Sequence, residues 1–155
     1  MGPARGAPEV ALSGLEQGTG SLCAVRLSAA QRAELLRLAR AALPGEACGL
    51  LLGSTRGGRV LVERIVGARN VAEQPLSRYR VDPLTQLEHE RAADAGGPGV
   101  VGAWHSHPRT GSEPSAADLE QAAPSYVYVI VSLRDEDVRA WRLSGAASEL
   151  SIEAG

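Results

Sequence analysis

No phenylalanine occurs among these 155 residues, and three tyrosines and two tryptophans carry all the aromatic bulk. A core must therefore be assembled from leucine, valine and alanine around a few larger rings. Cysteine is almost as scarce. Cys23 and Cys48 stand alone, without a C-x-x-C pair, which excludes a disulfide scaffold and a cysteine zinc site and suits a reducing cytoplasm. Neither sign of charge dominates, since 16 basic residues face 18 acidic ones for a net charge of −2. That balance offers no basic face for nucleic acid. No apolar run approaches the ~20 residues that span a bilayer. The first 21 residues also lack the continuous apolar core of a secretory signal, so the expectation is a soluble, cytoplasmic protein.

The length suits one domain, and no internal repeat appears. Residues 1–21, rich in glycine and small side chains, read as a mobile arm, with the domain proper at 22–155. A short strand over Leu22–Leu27 leads to a helix over Ala29–Leu43, capped by Ser28 and striped with Leu35, Leu36, Leu38, Ala39 and Ala42. Pro44 and Gly45 end it. Ala47–Gly53 and Val60–Ala68 read as a hairpin across a turn holding Gly57 and Gly58. After a loop over Asn70–Ser77 and a short extended piece at Tyr79–Val81, Pro83 opens a helix to Ala95. A strand then runs to His105, a helix covers Ser115–Ala122, and Ser125–Leu133 and Val138–Leu143 pair as a second hairpin, with an edge strand at Ser148–Ile152. Strands and helices in this order predict an α/β domain with a mixed sheet and helices packed against it.

The chemistry-bearing residues cluster in one stretch. His105 and His107 are two apart, so on a strand both imidazoles share a face. Pro108, Gly111 and Pro114 let the chain fold back and bring Asp118 beside them. Two imidazoles and a carboxylate make a three-ligand zinc shell whose fourth position stays open, the hallmark of a catalytic ion. A simpler reading makes Ser115 a helix N-cap with Asp118 in the first turn. The two readings are compatible, because a helix that starts beside a metal can use the same residues for both tasks. The third histidine, His89, lies among Glu88, Glu90 and Arg91 and reads as solvent-exposed.

HSHPRTGSEPSAAD resembles the JAMM signature of the MPN+ metalloprotease family, in which His-x-His-Pro is followed by Ser-x-x-Asp at this spacing. The resemblance extends from about Val25 to Val131 and includes PGEACGLLLG, where Glu46 matches the family's glutamate on an earlier strand. It implies a deaminase-like α/β sandwich with the site at one edge of the sheet. It also implies zinc held by His105, His107 and Asp118, with Glu46 as acid and base and Ser115 as oxyanion donor. Cys48, two residues past Glu46, either lines that site or packs as a small apolar residue, and packing is the simpler reading. A zincin would need H-E-x-x-H, and a nucleobase deaminase H-x-E with a later P-C-x-x-C; both are absent.

The resemblance further implies cleavage after the C-terminal Gly-Gly of a ubiquitin-like protein. In so compact a chain the expected partner is a β-grasp sulfur carrier, whose tail is trimmed or whose cysteine adduct is released. Alternatives within the same resemblance are an isopeptidase acting on ubiquitin conjugates, a peptidoglycan or phage-tail peptide hydrolase, and a scaffold without metal.

Overall fold

The computed structural model describes residues 22–154, so the expected arm at 1–21 lies outside the described residues. Seven strands and three helices follow in the order β1 (Ala24–Arg26), α1 (Ala29–Ala41), β2 (Cys48–Arg56), β3 (Arg59–Ala68), α2 (Pro83–Asp94), β4 (Gly99–His107), α3 (Ala116–Glu120), β5 (Val127–Ser132), β6 (Asp137–Leu143) and β7 (Ala147–Glu153). Ser28 caps α1 through a capping box with Gln31, and Asp82 caps α2 with Pro83 just inside. Both starts match the sequence expectation. The β2–β3 hairpin is longer than expected, because only Gly57 and Gly58 turn, both at positive φ. Glycine adopts that backbone without strain, so the ladder runs up to Arg56 and Arg59.

The sheet is mixed, as expected, with spatial order β1-β3-β2-β4-β5-β6-β7. β4 pairs parallel with β5 and antiparallel with β2. One expectation needs correcting. β7 is no edge strand, because it pairs antiparallel with β6 and parallel with β1, and this closes the sheet on itself. The short β1, itself paired with β3, supplies the last rung. β4, which carries the histidines, lies between β2 and β5 and ends at His107, so the pair stands at the end of a buried strand, as expected.

Alternation along β4 and β5 assigns the two faces. Trp104, Val127, Val129 and Val131 join the main core with Val25, Leu51, Val60, Leu35 and Ala39, so α1 packs on this side. Ala103, Tyr128 and Ile130 point the other way, under Leu119 and Tyr126. Trp104 is the largest fully buried side chain, and its indole N–H donates to the Val66 carbonyl at 3.0 Å. The indole crosses over Gly49 to reach it. A Cβ on Gly49 would collide with both the Val66 carbonyl and the indole nitrogen, which explains a glycine in the middle of ACGLLLG.

Candidate metal centre and active site

His105 lies on the same face of β4 as Ala103, paired with Cys48 of β2 on one side and Ile130 of β5 on the other. His107 follows on that face at the strand end, beside Ser132. Between them, Ser106 points into the opposite face and clamps the neighbouring chain: its hydroxyl accepts the Ala47 N–H at 2.8 Å, while its own N–H donates to the Ala47 carbonyl at 3.0 Å. That pairing continues the β2–β4 ladder by one residue and sets Glu46 opposite His107.

The loop after His107 is pinned along its length. Trp141 Nε1 donates to the Ser112 carbonyl at 2.9 Å, Ser112 Oγ to Asp137 at 2.7 Å, and Ser132 Oγ to the Thr110 carbonyl at 2.7 Å. α3 then begins at Ser115 with a capping box. Ser115 Oγ accepts the Asp118 N–H at 3.1 Å, and Asp118 Oδ2 accepts the Ser115 N–H at 2.9 Å. The cap and the candidate ligand are thus the same residues.

The same Asp118 Oδ2 lies 3.1 Å from His105 Nε2 and 3.1 Å from His107 Nε2, and the two nitrogens are 3.3 Å apart. All three residues are buried, and their donor atoms form the one group of three or more His, Cys, Asp or Glu with metal-holding spacing among the described residues. Donors bound tetrahedrally at about 2.0–2.1 Å stand about 3.3 Å from one another. The sides of the triangle therefore match a metal ion held at that distance.

Protonation supports the same role. His107 Nδ1 lies 2.7 Å from the Gly111 carbonyl, and donation to that oxygen leaves the Nε2 lone pair facing the centre. Burial holds His105 below its ordinary value, so its ring stays neutral. Burial alone would raise the Asp118 carboxyl, but the two imidazoles and the Ser115 N–H hold it well below the usual carboxylate range.

Glu46 is buried near the centre, and its Oε1 has no hydrogen-bond partner. Desolvation raises its carboxyl to about 7, against a lowering pull from His107. Its backbone is bracketed, with its N–H on the Pro75 carbonyl at 2.8 Å and its carbonyl receiving Asn70 Nδ2 at 3.0 Å. A cleft of about 180 Å³ is lined by Glu46, His107 and Ser115 together with Leu76, Ser77 and residues 108–110.

Every expected site residue is therefore gathered in one place. Cys48 packs next to the site, fully buried, its Sγ 3.6 Å from the Arg69 carbonyl and its thiol pushed up to about 12 by desolvation. Such a thiol is inert, in line with packing. His89 is half-buried, not fully exposed, because Nδ1 turns back to the Thr85 carbonyl at 2.9 Å.

Two contributors escape the sequence reading. Tyr79 lies flat on His105, with ring centroids 4.1 Å apart and 14° between planes. Asn70 uses its whole amide: Nδ2 donates to the Glu46 and Arg78 carbonyls, and Oδ1 accepts the Ala72 and Arg80 N–H groups. An asparagine just past a strand end signals such a loop organiser. Nothing in RYRVDP signals the ring stack.

Comparison with known proteins agrees with this geometry. Residues 28–144 match the family described as prokaryotic homologs of the JAB domain. The chain belongs to that family, the bacterial type of JAMM/MPN domain. Among curated relatives it is 39% identical over 90 residues to the desampylase of Haloferax volcanii, a match covering 57% of this chain and 63% of the relative. It is 37% identical over 112 residues to a probable TtuB-protein conjugate cleaving protease of Thermus thermophilus, covering 72% of this chain and 68% of the relative. It is 36% identical over 111 residues to the CysO-cysteine peptidase of Mycobacterium tuberculosis, covering 68% of this chain and 74% of the relative. The solution structure of protein DSY2949 from Desulfitobacterium hafniense superposes with a TM-score of 0.76 at 34% identity, over 84% of this chain and 92% of that one.

Proposed function

We propose that this protein is a zinc metallopeptidase that hydrolyses the bond after the C-terminal Gly-Gly of a ubiquitin-like sulfur carrier, trimming its tail or releasing cysteine from an adduct. The observation that carries the reading is a buried triangle of donors, 3.1–3.3 Å on each side, beside a carboxyl raised to about 7. Two imidazoles and one carboxylate suit zinc better than the oxygen-seeking ions.

His105, His107 and Asp118 would hold the ion. When bound, it would supply Lewis acidity toward a carbonyl and make water a nucleophile near neutral pH. Glu46, lining the cleft with His107 and Ser115, takes the proton of the attacking water and passes it to the leaving nitrogen. Ser115 Oγ accepts the Asp118 N–H with one lone pair and donates to no other group among the described residues, so its O–H can donate to the developing oxyanion. His107, tied to Gly111, and His105, backed by Tyr79, keep the centre rigid.

The substrate class draws on the relatives named above, whose names speak of cleaving a protein conjugate and of a CysO-cysteine peptidase. A reducing compartment such as the cytoplasm suits two free thiols, and no described helix is long and apolar enough to cross a membrane.

Intact-mass analysis of a sulfur carrier bearing residues beyond its Gly-Gly, with and without a chelator, tests the reading. A chelator-sensitive loss of mass that leaves a terminal Gly-Gly is expected. A chain that holds one zinc and leaves every such carrier intact would move the assignment to ubiquitin isopeptides or wall peptides. A chain that binds no zinc would make it a scaffold.

A further inference from the structure

We infer that Arg109 is a specificity residue that receives the free carboxylate of the leaving group, so that the site favours adducts in which Gly-Gly is followed by one terminal amino acid. The inference rests on the peptidase reading above and narrows its substrate class.

Arg109 stands two residues past His107 and lines the same cleft as Glu46, His107 and Ser115. One of its terminal N–H groups donates at 3.1 Å to the carbonyl of Leu76, another residue that lines this cleft, which anchors the side chain there. A guanidinium has five N–H donors, so this anchor leaves most of them unspent. Other arginines near the β4–α3 loop are neutralised: Arg139 by Glu113 and Glu149, and Arg134 by Asp135. Arg109 takes part in none of the ion pairs among the described residues. The carboxylate that lines its cleft is Glu46, which must stay free to carry a proton.

The chemistry of the leaving group supplies what is missing. Hydrolysis adds water's oxygen to the glycine carbonyl, breaks the C–N bond, and sends the amine away with a proton from Glu46. When the leaving group is a single α-amino acid, its carboxylate carbon lies only about 2.5 Å from the leaving nitrogen, two bonds away. That carboxylate enters the cleft with the scissile bond, and a guanidinium can take it bidentately. An internal peptide bond offers a neutral amide there instead. In a lysine isopeptide the leaving nitrogen carries a four-carbon stem, so no anion comes close. Arg109 thus distinguishes a one-residue adduct from both alternatives by charge.

The test uses the zinc-loaded full chain and a sulfur carrier ending in Gly-Gly-Cys, prepared as the free acid and as the C-terminal amide. The wild-type ratio of kcat/KM, acid over amide, is expected to be about 10 to 100. Arg109→Gln should bring that ratio to near 1, and Arg109→Lys, which keeps the charge without the fork, should fall between. Because the readout is a ratio within each variant, a loss of folded or loaded enzyme cancels. A wild-type ratio near 1, or an Arg109→Gln ratio equal to the wild type, overturns the inference and leaves the peptidase reading standing. Cleavage of neither substrate by a zinc-loaded wild type overturns that reading, and this inference with it.

Discussion

Replacing Glu46 by glutamine separates the cost of the site from its use. In the metal-free protein, burial raises the Glu46 carboxyl from 4.5 to about 7, so between those values the folded chain keeps a proton that the unfolded chain has lost. Stability therefore falls as pH rises through this window and levels off above it. A displacement of that size corresponds to at most about 3 kcal/mol, at about 1.4 kcal/mol per pH unit. The cleft is open to water on one side, so screening reduces the expected loss to ~1–3 kcal/mol. Glutamine copies the protonated carboxyl in shape and cannot ionise. Metal-free Glu46→Gln should thus match the wild type near about pH 4 and exceed it by ~1–3 kcal/mol near about pH 8, read from urea denaturation. Adding zinc should shrink the gap, because a cation beside the carboxylate favours its charged form. A difference between the two proteins that is the same at both pH values would refute the argument.

The other residues make separate predictions. Alanine at His105, His107 or Asp118 should abolish stoichiometric zinc by elemental analysis. In the wild type, zinc at 100 times its Kd should add about 2.7 kcal/mol, a rise in Tm of about 5–10 °C that a chelator reverses. Tyr79→Leu should weaken zinc about 10–100-fold in a competition titration, as loss of an orienting partner does, while Tyr79→Phe keeps the ring and stays within about threefold. A Phe variant as weak as Leu would show that the hydroxyl acts, not the stack. Ser115→Ala should lower kcat about 100–1000-fold with zinc retained, and cost about 1 kcal/mol of stability through the lost cap.

The polar half of the site was legible in the sequence because its spacing has few uses. Two histidines two apart on a strand share a face, and Ser115 with Asp118 three on is both a cap and the expected pair of oxyanion donor and metal ligand. The β2–β3 and β5–β6 hairpins and both long helices were legible from turn glycines, caps and the apolar stripe. Closure of the sheet was not, because β1 is only three residues long and its partners β3 and β7 are remote in sequence. Periodicity reports faces, not neighbours. The Tyr79 stack was hidden for a similar reason: it joins a loop residue to a strand residue 26 positions later, and no local rule links them.

That the histidines stand at the end of an interior strand bears on how the site is held. A ligand on an edge strand can shift with that strand, whereas β4 is held by β2 on one side and β5 on the other. The constraint reaches Glu46 as well, because Ser106, between the two histidines, fixes Ala47, and Ala47 follows Glu46. The remaining ligand comes from a five-residue helix whose start is fixed by that ligand's own carboxylate. Asp118 Oδ2 thus accepts the Ser115 N–H while facing both imidazoles, so placing Asp118 also places the Ser115 hydroxyl. The proposed metal ligand, oxyanion donor and proton carrier are therefore positioned by two connections, one sheet rung and one helix cap. A substitution in either should disturb more than one catalytic function at once.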